Sequence, residues 1–321
     1  MNKNKLFFNS ILSLIVAVIC LFIFIKSSEG NLDFKYILIS LYDGWVYLII
    51  ASTLLILSVY IRSLRWKYLF QSNISNNMID LFSSQLVGYF INNIFPIRIG
   101  DFVKSYIVAK KTNNKTSYIL GSIIMERVLD TLMLLIFMII IVWYYGLNYL
   151  NINFSLLSIP IYIMVIILIG IIFIIYYCFV LIPFKIKNIL NEIWAGFIGI
   201  NSSSKSIVIF SSVLIWSIYW VNVFLIQMIF PSIDLNLMQC LLILVVSSSV
   251  QLIPTGFGAL GVFHLGVKSV LDGLGVLNYE NFLMMLWLYS YFIYTILGSY
   301  FFCKEGRFTF KNLYNDWIKN Y

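Results

Sequence analysis

Phe95-Pro96-Ile97-Arg98-Ile99-Gly100-Asp101 and Ile253-Pro254-Thr255-Gly256-Phe257-Gly258-Ala259 each interrupt an apolar run at a proline, at corresponding places in the two halves of the chain. Proline removes a backbone donor and biases its predecessor away from the α region, so each run is expected to break there. At membrane depth a broken backbone is tolerated only where protein or a cavity satisfies its polar groups. Matched breaks in two halves therefore point to a binding site between them.

The sequence around these breaks is that of a membrane protein. Of its 321 residues 61% are hydrophobic and 11% charged, and the mean hydropathy of +0.95 excludes an ordinary soluble globular domain. Apolar stretches near the ~20 residues needed to cross a bilayer lie at roughly 6–25, 45–64, 118–145, 156–182, 206–230 and 282–303. Two more, roughly 79–95 and 237–253, end at the prolines and are followed by amphipathic stretches at 97–111 and 257–273. Each such pair reads as a broken or re-entrant helical hairpin, with two tilted full spans as the alternative.

The expected fold is all-α, a polytopic membrane protein forming one integral membrane domain over 1–321. Each half reads as span, span, broken hairpin, span, with a first repeat at about 6–145, a second at about 156–303 and a short tail at 304–321. An odd number of crossings per half inverts the second repeat relative to the first, so that the hairpin tips meet near the middle of the bilayer. There the helix N-termini after each break offer N–H groups to an anion. The loops, the longest at roughly 65–78 and 183–205, are too short for a catalytic domain.

A net charge of +8 without a basic arm or stripe argues for topology and against nucleic acid. A cytoplasmic N-terminus puts Lys3, Lys5, Arg62, Arg65, Lys67, Lys104, Lys110, Lys111, Lys115, Lys185, Lys187, Lys205, Lys304, Arg307, Lys311 and Lys319 inside. Only Lys26, Lys35 and Lys268 remain outside. Both termini are thus expected in the cytoplasm, with the chain in the plasma membrane. Cys20, Cys178, Cys240 and Cys303 lie in apolar spans without paired spacing, so packing is their expected role. Leu6 to Ile25 lacks a small-x-small cleavage site and reads as a retained first span.

Glu126-Arg127-Val128-Leu129-Asp130 stands inside an otherwise apolar span. Spacings of three and four put these charges on one helical face, where they are expected to pair locally. Ionisable groups in a membrane cost on the order of 2.5–3.5 kcal/mol each, which makes them functional candidates. The competing reading is an ion-pair cluster that only locks the span to its neighbours. Arg98 and Asp101, preceded by Asn92 and Asn93, form a second cluster just after Pro96. Arg98 and Arg127 are suited to grip a phosphate, while Asp101, Glu126 and Asp130 orient the guanidinium groups or take a cationic group.

Gly256-Phe257-Gly258-Ala259-Leu260-Gly261 matches the GxGxxG fingerprint formally, but without a preceding strand it reads as a hairpin tip needing positive φ. His264, the sole histidine, has no nearby second ligand, so it is expected to be a polar core residue, with a proton relay as the minor reading. Trp66, Trp143, Tyr144 and Tyr145 are expected at the membrane interface. No catalytic, cofactor or metal site is expected.

Asn92 to Asp101, Gly121 to Asp130 and Pro254 to Gly258, in that order, resemble the lysylphosphatidylglycerol synthase transmembrane-region family over about residues 5–305. In multidomain relatives this module looks like the part that moves aminoacylated phosphatidylglycerol between leaflets, while a separate cytoplasmic domain attaches the amino acid. No such domain is expected here, so transfer of lysine from tRNA is not implied. The resemblance implies that Arg98, Asp101, Glu126, Arg127 and Asp130 line a lipid headgroup path. Ala259 stands where the first repeat has Asp101, which puts a two-fold symmetric mechanism in doubt.

The expected substrate-binding set is Asn92, Arg98, Asp101, Glu126, Arg127 and Asp130, with hairpin breaks at Pro96, Gly100, Pro254, Gly256 and Gly258. The leading function is a lipid flippase or scramblase-like transporter for a phospholipid or polyprenyl-linked lipid, as a possible homo-oligomer. The alternatives are an enzyme or accessory subunit of lipid modification or lipid-linked glycan synthesis, with Asp101 or Glu126 as general base, and a transporter for a soluble solute. The last is disfavoured because no conspicuous polar lining runs through the other spans.

Overall fold

The computed structural model describes residues 32–70, 77–95, 99–146, 184–200, 204–251 and 256–305, together with Phe22 and Lys26. The expected spans at 6–25 and 156–182, the tail, and Pro96, Arg98 and Pro254 lie outside the described residues. Among the described residues every regular element is helical. The helices are α1 (Phe34–Asp43), α2 (Trp45–Tyr68), α3 (Met78–Ile94), α4 (Gly100–Thr112), α5 (Thr116–Tyr145), α6 (Phe184–Phe197), α7 (Lys205–Gln227), α8 (Leu237–Val250), α9 (Gly256–Ala259), α10 (Val262–Gly273) and α11 (Glu280–Glu305). The all-α membrane fold expected from the sequence is the one found.

Four of these helices, α2, α5, α7 and α11, are long and apolar enough to cross a bilayer, matching four of the expected full spans. Helix α3 has 17 residues and α8 has 14, so at ~1.5 Å per residue both fall short of a ~30 Å hydrocarbon core. Local chemistry sets their ends. Asn77 caps α3 by accepting the Ile79 N–H, and Phe95 is already extended (φ −90°, ψ 137°), as the residue before a proline should be. Asn236 and Gln239 close a reciprocal capping box at the start of α8.

Both broken segments fold back on themselves, α4 against α3 and α10 against α8. In the first hairpin the arms touch through glycine: a Cβ on Gly100 would lie 2.1 Å from the Gly88 carbonyl oxygen. In the second the tip, from the end of α9 to the cap of α10, uses positive φ at Gly258 (64°), Ala259 (61°) and Gly261 (81°). The GxGxxG segment is thus a hairpin tip, as its reading required. Elements of the two halves then pair across the molecule, α2 with α7, α3 with α11, and the α9 tip with α3.

Three expectations are corrected. The stretch 183–205, read as a loop, contains α6, which lies along α5 so closely that a Cβ on Gly121 would sit 1.9 Å from the Ile193 carbonyl oxygen. Trp66, read as an interfacial residue, is fully buried, and its Nε1 donates to Ser122 Oγ at 2.9 Å. Trp143 and Tyr144 are exposed, as a lipid-interface position requires. Arg62, Arg65 and Lys104, counted as cytoplasmic charges, are buried in the protein interior.

Candidate functional site

Three helices, α2, α3 and α4, converge on the charges of α5. Glu126 and Asp130, one turn apart, present their carboxylates to Arg62 and Arg65, which are themselves three apart on α2. Arg62 Nη1 lies 2.8 Å from Glu126 Oε1 and 2.6 Å from Asp130 Oδ2, and Arg65 Nη2 lies 2.9 Å from Asp130 Oδ1 and 3.5 Å from Glu126. From α4, Lys104 Nζ reaches Glu126 Oε2 at 3.2 Å and Asp101 Oδ1 at 3.3 Å. Gln85 on α3 completes the shell, donating to Glu126 at 3.3 Å and accepting from Lys104 at 3.1 Å.

Arg127 points away from this interior. Its Nη2 donates to Asp101 Oδ1 at 2.8 Å and its Nε to Oδ2 at 3.3 Å, a fork that joins α5 to the first helix after the Pro96 break. Its distance to Asp130 is 3.9 Å, so the local pairing expected along α5 gives way to pairing between helices. The side chains of Arg127 and Asp101 are 43% and 30% exposed, whereas Glu126, Arg65 and Lys104 are closed to solvent.

Beside the charges lies a cavity of about 420 Å³, bounded by α2, α3, α4 and α5 on one side and by α7, α8, α9, α10 and α11 on the other. Of the expected binding residues, Asn92, Asp101, Arg127 and Asp130 line it, as does Gly258 of the second tip. Glu126 does not: its carboxylate is used up by three cations and Gln85, so the reading as a structural lock applies to it. Gly256 begins α9, and the Gly100 N–H donates to Asn92 Oδ1 at 2.8 Å, steadying the first hairpin.

Sequence reasoning missed Arg62, which also lines the cavity and whose Nη2 approaches the Tyr219 hydroxyl at 3.4 Å. It missed the aromatic wall as well. Tyr89 stacks on Tyr294 with ring centroids 4.6 Å apart, and Trp287 on Tyr291 at 4.5 Å. The usable signal was the recurrence of Tyr and Trp inside α11, where a lipid-facing span has no need of them. His264 is buried between the rings of Phe263 and Trp287, 5.6 and 5.7 Å away. Among the described residues no three His, Cys, Asp or Glu side chains converge as metal ligands.

In order along the chain, the glycine-broken first hairpin, the charged α5 and the second tip share one cavity. The family described as the lysylphosphatidylglycerol synthase transmembrane region matches residues 10–298. The chain belongs to that family. Membership in the lysylphosphatidylglycerol synthase transmembrane-region family makes it a membrane domain associated with lipid handling. The chain is also similar to a UPF0104 membrane protein of Methanocaldococcus jannaschii, 33% identical over 111 residues, a third of each chain. No solved structure matches it significantly.

Across the cluster as a whole, four cations, Arg62, Arg65, Lys104 and Arg127, face three carboxylates, Asp101, Glu126 and Asp130. Among the described residues the site thus holds one positive charge in excess. In a medium of low dielectric constant an uncompensated charge is costly, and an anion entering the cavity offsets it. Arg127 is the cation best placed to meet such an anion, being the most exposed of the four and already oriented by Asp101.

Proposed function

We propose that this protein is a flippase-like transporter that moves a phospholipid or lipid-linked headgroup between leaflets. The observation that carries the reading is the cavity between the two broken hairpins, with its excess positive charge and its one half-exposed arginine. An anionic headgroup enters from one leaflet and meets Arg127. The α3–α4 and α8–α10 hairpins, each too short to cross as one straight pair, re-enter from opposite sides, and one half rocks against the other to open the cavity alternately.

In this reading both termini are cytoplasmic and the chain resides in the plasma membrane. The exposed Lys67, Lys110, Lys111 and Lys115 then lie on the inner face. The headgroup lies in the cavity and the acyl chains remain in the bilayer, so the protein needs no solvent-filled pore.

The test is transbilayer movement in proteoliposomes, for phosphatidylglycerol, its lysyl derivative, phosphatidylinositol and a polyprenyl phosphate. Wild type is expected to move at least one of them. Arg127→Ala is expected to lose roughly tenfold or more, since a hydrogen bond to a charged group contributes ~1.5–3 kcal/mol. Folded wild-type protein that moves none of the four would overturn the reading.

A further inference from the structure

The same cavity carries more recognition chemistry than a phosphate needs. Its walls include the stacked pairs Tyr89 with Tyr294 and Trp287 with Tyr291, and the edge-to-face pair Trp216 with Tyr219. Between them stand neutral polar groups with capacity to spare. Asn92 spends its Oδ1 on the Gly100 N–H and keeps its amide donors. Asn93 spends its Nδ2 on the Tyr291 carbonyl and Thr295 and keeps its Oδ1. The side chains of Ser248 and Gln251, also in the lining, make no hydrogen bond among the described residues.

An amine does not suit this lining. Both carboxylates that border the cavity are already paired, Asp101 with Arg127 and Lys104, and Asp130 with Arg62 and Arg65. An incoming cation would meet the guanidinium groups of Arg62 and Arg127 instead. A bare phosphate also fits poorly, because it leaves the amides unpaired and the aromatic faces uncovered. Volume agrees: about 420 Å³ lies within the ~300–1,000 Å³ of sites that take a small organic ligand.

We infer that the headgroup is a polyhydroxylated ring, a sugar or cyclitol, joined to the lipid through a phosphodiester. This inference rests on the transport site proposed above. The phosphodiester meets Arg127, the apolar C–H faces of the ring lie against the Tyr and Trp walls, and the hydroxyls exchange hydrogen bonds with Asn92, Asn93, Ser248 and Gln251.

The test is lipid binding to the full chain in detergent, by native mass spectrometry, with phosphatidylinositol, phosphatidic acid and phosphatidylethanolamine. Phosphatidylinositol is expected to bind roughly three- to tenfold more tightly than phosphatidic acid, as one aromatic contact and its hydrogen bonds allow. Tyr291→Leu is expected to erase that preference without weakening phosphatidic acid. Gln251→Leu, a change at an exposed position, is expected to reduce it, and keeps the test open if Tyr291→Leu fails to fold.

Equal binding of phosphatidylinositol and phosphatidic acid, or tightest binding of phosphatidylethanolamine, overturns the inference. Selective binding of phosphatidylinositol by a wild type that moves no lipid in proteoliposomes upholds the headgroup class and overturns transport. Movement of lipids with no ring preference upholds transport and overturns the headgroup class.

Discussion

Adjacent on α5, Glu126 faces three cations in a space closed to water, whereas Arg127 reaches the cavity with nearly half of its side chain exposed. Their substitutions should therefore separate. Glu126→Ala leaves Arg62 and Arg65 sharing Asp130 and Lys104 with Asp101 alone, and is expected to cost about 3–5 kcal/mol, the usual penalty for removing one partner from a buried ion-pair network. Thermal unfolding in detergent measures it. Asp101→Asn breaks a partly exposed pair and is expected to change stability by only about 1 kcal/mol. It should nevertheless weaken anionic lipid binding, because Arg127 loses the group that aims it. If Glu126→Ala melted with wild type while Asp101→Asn collapsed, the structural and binding roles would have to be exchanged. The spacing of Glu126 and Asp130 was legible because charges inside an apolar run are costly and demand partners. Their partners were not, since Arg62 and Arg65 close a long apolar helix, where long basic side chains ordinarily reach for the interface.

At the scale of elements, α6 is held to α5 by two glycines facing each other, since a Cβ on Gly196 would lie 1.9 Å from the Tyr118 carbonyl oxygen and one on Gly121 equally close to that of Ile193. Lys115 and Ser117, at the start of α5, both reach Glu192 on α6 and fix its register. Close backbone approach through small residues is how membrane helices associate without a hydrophobic driving force between them. Gly121→Leu should lever α6 away, loosening the backbone around the exposed Lys187 for faster tryptic cleavage and lowering the melting temperature. Gly196→Leu should do the same, and the double variant should add little because both act on one contact. Unchanged cleavage in both would mean that α6 is held by other contacts. Nothing in 183–205 announced this helix, because its mixture of Lys, Asn and apolar residues fits a polar connection as well as an amphipathic helix.

For the whole molecule, the cavity exists because α3 of the first half lies against α11 of the second, closed by the Tyr89 and Tyr294 rings. If the halves part during transport, joining them must stop it. In a background lacking Cys20, Cys178, Cys240 and Cys303, the pair Tyr89→Cys and Tyr294→Cys, bridged by a short thiol cross-linker that a reductant cleaves, is expected to arrest lipid movement. Reduction should restore it to the level of the same variant before cross-linking. Movement that continued in fully cross-linked protein would exclude rocking at this seam.

By itself the sequence determined the solvent, the helical class and the breaks. A chain this apolar must satisfy its backbone internally, helices do so within one segment, and prolines and glycines interrupt them at fixed places. It also marked Asp101, Glu126, Arg127 and Asp130, because charge in an apolar run is conspicuous wherever the chain goes. Tertiary structure alone decided which of these charges face the cavity and which are consumed. Pairing of Glu126 with Lys104, Arg62 and Arg65 depends on three helices meeting, as does the assembly of Tyr89, Trp287, Tyr291 and Tyr294 into one wall. Such contacts join residues distant in sequence, and no local period or spacing encodes them.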